Sequence, residues 1–232
     1  VEGEETEGVL SGIGFLGEVS RDETTPIGKR VMVVGGGNTA IDAARTAKRL
    51  GSEDVRILYR RTRKEMPAWE AEIHEAEVEG IQLDILAAPT KVSPRDDGAL
   101  DVTCIRMELG EPDASGRRRP VPQEGSEFVV VMDNVIAAIG QRVDADAVGA
   151  CDAERTRWAT FVVNEKTLET TISGVFAGGD CVIGPDIAIR AVAAGRLGAV
   201  SIDQYVRGET VVGDPEAVYV RMGHAADEVP AD

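Results

Sequence analysis

Histidine, cysteine and aromatic side chains are scarce in this chain, and cations are outnumbered. Its 232 residues hold 2 histidines and 3 cysteines, and aromatics make up 4%. Cys104, Cys151 and Cys181 are odd in number and far apart, so they form no CxxC redox pair. Their spacing also offers no iron–sulfur ligand set and no zinc site. His74 stands among Glu72, Glu75 and Glu79 on an expected surface helix, where a solvated or salt-bridged histidine is ordinary, and His224 lies in a polar tail. The sequence therefore points to no catalytic side chain and no metal. No apolar run approaches membrane-spanning length, and the acidic N-terminus lacks the charged and apolar regions of a signal peptide. Cytoplasm is the expected compartment. With 25 Lys and Arg against 41 Asp and Glu, the net charge of −16 argues against nucleic acid or an anionic membrane as partner.

What is present begins with Arg30-Val-Met-Val-Val-Gly-Gly-Gly-Asn-Thr-Ala-Ile-Asp-Ala-Ala-Arg45. A short apolar run ends at Val34, the glycines Gly35, Gly36 and Gly37 follow, and a helix-forming segment starts at once. That order is a dinucleotide-binding fingerprint, with Ala40 in the third glycine slot. Gly35 suits the tight turn, Gly37 has no Cβ to keep a pyrophosphate off the backbone, and Ala40 lets the helix lie close to the strand. The helix N-terminus then faces the phosphates. Asn38 and Thr39 stand where they cap the helix, contact the pyrophosphate, or both.

About 20 residues beyond such glycines, the end of the second strand meets the adenosine ribose. Here that strand is Val55-Arg-Ile-Leu-Tyr59, followed by Arg60, Arg61 and Arg63. An NAD site would place Asp or Glu there. Adjacent Arg60 and Arg61 suit a 2′-phosphate instead, through charge-assisted hydrogen bonds. A solvated basic turn is the bland alternative, but the spacing favours NADP.

Residues 1–27 read as an acidic connector with a helical turn or two around Val9–Leu16. Helices are expected over Thr39–Leu50 and Ala68–Glu79, and a third strand over Ile81–Leu86, which completes βαβαβ. After Pro89 the pattern alternates like antiparallel strands, at Lys91–Ser93, Leu100–Leu109 and Glu127–Met132. The intervening Gly110–Pro122 segment reads as a surface loop, whose arginines Arg117, Arg118 and Arg119 could reach a phosphate but fit an exposed basic loop better. A strand over Asn134–Ile139 runs into Gly140, a ligand-facing position at a sheet's carboxyl edge.

A second motif is Gly174-Val-Phe-Ala-Gly-Gly-Asp180. Gly174–Ala177 reads as a short buried strand, Gly178 and Gly179 permit close ligand approach, and Asp180 presents a carboxylate. A long alanine-rich helix follows from Ile187 and Ala188 to Val206, its N-terminus facing the same ligand. Asp180 could otherwise be an ordinary cap or turn aspartate. Strand, Gly-Gly-Asp and helix together favour a ligand role.

These motifs, with Tyr59-Arg-Arg-Thr-Arg-Lys-Glu-Met-Pro67 and Ala138-Ile-Gly140, resemble the glutamate synthase small (beta) subunit family from about Gly8 to about Gly208. The resemblance implies an α/β architecture: a Rossmann-like NADPH domain with a central parallel sheet plus antiparallel strands, then the C-terminal part of an FAD-binding domain. It divides the chain into a connector (1–27), an NADPH domain (28–143), an FAD-domain portion (144–210) and a tail (211–232). It implies hydride transfer from NADPH to FAD, with electrons passing singly to iron–sulfur centres in another domain or a large catalytic subunit. Gly179, Asp180, Ile187 and Ala188 fall where the family contacts FAD. The family's first FAD-binding strand, glycine loop and cysteine-rich region have no counterpart here. The chain is accordingly expected to be part of a longer protein, inactive alone, with FAD held only by the full-length form. A non-catalytic NADP-binding or subunit-docking domain is the alternative.

Overall fold

A computed structural model describes residues 1–21, 25–112, 118–141, 143–144 and 151–214. The chain divides into two compact units, Val1–Gly140 and Gln141–Asp232.

The first unit is built on a parallel sheet of β1 (Val9–Ser11), β2 (Arg30–Val34), β3 (Asp54–Tyr59), β4 (Gln82–Ile85) and β9 (Asn134–Ala137). Its spatial order is β1-β9-β2-β3-β4. Helices α1 (Gly12–Ser20), α2 (Asn38–Arg49) and α3 (Glu70–Val78) supply the elements between its strands. An antiparallel sheet holds β5 (Ala87–Pro94), β6 (Leu100–Pro112), β7 (Arg118–Pro122) and β8 (Phe128–Met132), with β6 paired to the other three.

Side chains alternate across a strand, and both faces of the parallel sheet are covered, so its strands are almost continuously apolar. Val31, Val33, Val55, Ile57, Tyr59 and Ile136 point to one face and pack with Phe15, Ile41, Ala44 and Ile73 from the helices. Met32, Leu58 and Val135 point to the other and pack with Val92, Leu100, Val102, Cys104 and Met132 of the antiparallel layer. Each fully buried side chain of this size contributes roughly 1.5–3 kcal/mol. The face of α2 toward the sheet is small, with Ala40, Ala43, Ala44 and Ala47 all fully buried, which brings its axis close to the strands.

Three local readings change. Val9–Ser11 is a strand of the parallel sheet, pairing Val9 with Val135 and Ser11 with Ala137, and a nine-residue helix follows it. The segment read as connector thus supplies sheet and helix. The described part of Gly110–Pro122 is hairpin rather than surface loop, because Arg118–Pro122 pairs with β6. Gly174–Ala177 is not a buried strand: only Phe176 forms an isolated bridge, to Glu169, and Val175 is exposed.

In the second unit, isolated bridges join Arg155 to Phe161 and Val163 to Thr170. The short helix α4 (Asp180–Ile183) and the 19-residue α5 (Ala188–Val206) follow. Gln204 fastens the chain beyond α5, its amide bonding Val212 N–H and Gly213 C=O, each at 2.9 Å. Among the described residues no helix is long and apolar enough to cross a membrane. His224 and the tail beyond Asp214 lie outside those residues.

Candidate dinucleotide site

The carboxyl ends of β2 and β9 meet at the glycine loop. Gly35 takes φ +148°, and its N–H donates to Leu58 C=O at 3.1 Å. A Cβ at Gly35 would stand 2.3 Å from the Ala138 carbonyl oxygen, and one at Gly36 2.5 Å from the Tyr59 ring. These two glycines are enforced by the protein's own packing. Gly37 differs: the nearest atom to its hypothetical Cβ is Pro67 Cγ at 3.9 Å, and it is the N-cap of α2 without a side-chain cap. Uncapped N–H groups behind an open glycine are free of side-chain competition for an anion. Ala40 is fully buried beneath the loop.

Asn38 and Thr39 turn to neighbours. Asn38 Oδ1 accepts from Trp69 N–H at 3.0 Å. Thr39 Cγ2 lies 3.4 Å from where a Gly12 Cβ would stand, against the start of α1. Gly140, at φ +101°, is exposed just past β9 with open space around it.

The two arginines after β3 separate. Arg61 is 7% exposed, and its Nε donates to Arg118 C=O at 2.8 Å. Arg60 is exposed. Both line a cleft of about 570 Å³ whose opposite side brings Glu111 and Arg119 from the β6–β7 hairpin. Arg119 belongs to the run that the sequence favours as an exposed basic loop; its place on β7 instead puts it on the same cleft as Arg60. Arg117 lies outside the described residues. Arg63 is engaged elsewhere, paired with Glu70 and, at 3.0 Å, with Glu77.

The turn after the arginines is locked. Thr62 and Glu65 form a capping box, and the Thr62 hydroxyl bond chiefly holds the Glu65 carboxyl below its ordinary range. On α3, His74 is exposed among glutamates, while Arg45 joins Glu72 at 2.6 Å and Glu79 at 2.8 Å.

In the second unit, Gly179 and Asp180 line a cleft of about 630 Å³ against α5, with Ala188, Ala191 and Ala194 on the helix side. A Cβ at Gly178 would meet Ala194 Cβ at 3.1 Å, so this glycine sets how closely the segment approaches the helix. Asp180 is exposed. Ile187 is the exposed N-cap of α5, and its N–H donates to its neighbour Asp186 at 2.7 Å. The three cysteines are free, and among the described residues no cluster of three His, Cys, Asp or Glu side chains could hold a metal ion.

A family model described as pyridine nucleotide-disulphide oxidoreductase matches residues 1–195. The chain belongs to this family. It is 45% identical over 204 residues to the NADP(+)-dependent formate dehydrogenase subunit beta of Moorella thermoacetica, covering 88% of this chain and 29% of that one. It is 41% identical over 184 residues to the glutamate synthase [NADPH] small chain of Azospirillum brasilense, covering 78% and 38%. The chain thus spans about a third of the length of these relatives. Its fold is that of T. acidophilum thioredoxin reductase, with a TM-score of 0.68 at 20% identity over 89% of this chain and 61% of that one. The pyridine nucleotide-disulphide oxidoreductase chain therefore has relatives of differing name at similar identity.

Proposed function

We propose that this chain is the NADPH-binding module, with the C-terminal part of an FAD-binding domain, of a flavin oxidoreductase of glutamate synthase small-subunit type. Residues 28–143 bind NADPH and residues 144–210 belong to the flavin domain. The observation that carries the reading is the convergence of Arg60 and Arg119 on one cleft, from strands far apart in sequence. Two exposed guanidinium groups suit a 2′-phosphate, which NADH lacks. The uncapped start of α2 behind Gly37 supplies N–H groups for the pyrophosphate. The cleft at Gly179 and Asp180 fits part of a flavin, with Asp180 available to ribityl hydroxyls and the start of α5 to partial negative charge. The names of the relatives, NADP(+)-dependent and [NADPH], support the same nucleotide.

When bound together, NADPH and FAD supply hydride transfer and then single electrons for iron–sulfur centres of another domain or a large subunit. The residues named here bind and orient the two groups.

Calorimetric titration of the chain with NADPH and NADH tests this. NADPH should bind more tightly, and Arg60→Ala should bring its affinity down toward that of NADH. Equal or absent binding of the two nucleotides would favour a second reading, a subunit-docking domain. The specific feature behind that reading is the apolar side of α5, where Ile189, Val192 and Val206 are exposed by 65%, 65% and 77%.

A further inference from the structure

The stretch from Tyr59 to Trp69 starts at the arginine cleft and returns to the glycine loop, and hydrogen bonds hold it at several points. Tyr59 lies under the loop, with its ring where a Gly36 side chain would be, and its hydroxyl donates to Glu65 C=O at 2.8 Å. Thr62 and Glu65 close the turn between them. Ala68 N–H then donates to Gly36 C=O at 3.1 Å, and Trp69 N–H to Asn38 Oδ1 at 3.0 Å. The segment is anchored from below by Met66 and Ala68, both buried, while the Trp69 indole is 68% exposed.

From this we infer that Asn38 is a positioning residue for the nucleotide: beside the Ala68–Gly36 backbone bond, it ties the 62–69 turn to the glycine loop and so helps set the distance between the 2′-phosphate and pyrophosphate subsites. The inference rests on the NADPH reading above and deepens it. Oδ1 of Asn38 accepts the N–H of Trp69, the N-cap of α3, which is one of the helix-end N–H groups with no intrahelical acceptor. NADPH reaches both subsites through one short ribose link of limited span, so a loosened tether costs affinity for the dinucleotide. Adenosine 2′-monophosphate has no pyrophosphate and does not span the two subsites.

Trp69 offers a clean way to remove the bond from its other side. Its φ of −65° and ψ of 134° lie in proline's own range, so Trp69→Pro deletes the N–H at a compatible position, whereas Trp69→Ala deletes only the indole. Titration of the full chain should show NADPH weakened about 5- to 10-fold in both Asn38→Ala and Trp69→Pro, on the scale of one lost hydrogen bond. Trp69→Ala should stay within about 2-fold, and the double variant Asn38→Ala/Trp69→Pro should be no weaker than either single, since both cut one bond. Adenosine 2′-monophosphate should bind all variants alike.

Asn38→Ala weakening NADPH while Trp69→Pro leaves it unchanged would overturn the inference and make Asn38 a direct ligand. Failure of the unsubstituted chain to bind NADPH would instead overturn the nucleotide reading itself. Amide hydrogen exchange is independent of both: the Trp69 amide should be protected in the unsubstituted chain and lose protection in Asn38→Ala. Unchanged protection would also sink the tether, whether or not Trp69→Pro folds.

Discussion

Arg61 Nε donates to the carbonyl oxygen of Arg118 at 2.8 Å, so one of two adjacent arginines is spent on joining β3 to β7. Arg61 still lines the cleft, but the exposed arginines there are Arg60 and Arg119. The exposed arginines on the cleft, Arg60 just past β3 and Arg119 of β7, therefore come from segments far apart in the chain.

The two arginines of the pair should consequently behave differently from Arg61. Arg60→Ala and Arg119→Ala should each weaken NADPH by about 10- to 100-fold, the scale of a charge-assisted hydrogen bond, and leave NADH nearly unchanged. Arg61→Ala should instead lower stability by about 1–3 kcal/mol, because the Arg118 carbonyl loses its donor. Calorimetry with both nucleotides, beside thermal melts, separates the two effects. A loss of NADPH selectivity in Arg61→Ala at unchanged melting temperature would refute the division of roles.

Packing makes Gly35 and Gly36 sensitive for reasons unrelated to any ligand. Gly36→Ala pushes a methyl into the buried Tyr59 ring and should cost about 1–3 kcal/mol. Gly35→Ala should cost more, since the obstruction is backbone and the φ of +148° already disfavours a side chain. Urea unfolding of both variants without nucleotide is the measurement. Wild-type stability in either would mean the loop has room that the close contacts deny.

Acid should weaken the first unit through Asp133. Its carboxylate accepts from the Arg30 guanidinium and from the backbone N–H groups of Lys29 and Arg30 at 2.8 Å each. The Arg30 guanidinium first, and these N–H groups after it, hold the carboxyl below its ordinary value of 3.8. A depressed carboxylate contributes stability that is complete above the unfolded value and is lost as pH falls through the folded one. Asp133→Asn should thus be less stable than the parent at neutral pH, with a difference that shrinks below about pH 4. Unfolding midpoints measured down the acid range should converge; parallel curves would exclude this residue.

Cysteine labelling should be selective. Cys104 is fully buried, and burial pushes its thiol up to about 11, so almost no thiolate exists at neutral pH. Iodoacetamide should modify the half-buried Cys151 and Cys181 in the native chain and reach Cys104 only in denaturant. Mass spectrometry of the digested products decides it. Rapid native labelling of Cys104 would show that the layer between the two sheets opens readily.

Much of the fold was legible because it is local. The β2–glycine–α2 passage is written in consecutive residues, as are the apolar run of β3, the breaks at Gly51 and Gly80, and the long alanine-rich α5. Gly-Gly-Asp180 before α5 was equally plain, although the run preceding it forms only an isolated bridge, Phe176 to Glu169, and not a strand. The three residues of β1 carry too little pattern to declare a strand. They become one only by pairing with β9, whose residues lie more than a hundred positions later in the chain.

What the sequence by itself determined is therefore most of the strands and helices of the first unit, the glycine loop and the long α5, together with the presence of arginines after β3, because backbone sterics and side-chain periodicity act over a few residues. Tertiary structure alone decided which arginines share a cleft, that Arg61 is committed to the Arg118 carbonyl, and that Asn38 reaches Trp69 instead of capping its own helix. Those outcomes depend on hydrogen bonds between segments that meet only after both layers have closed on the parallel sheet, and no local pattern encodes them.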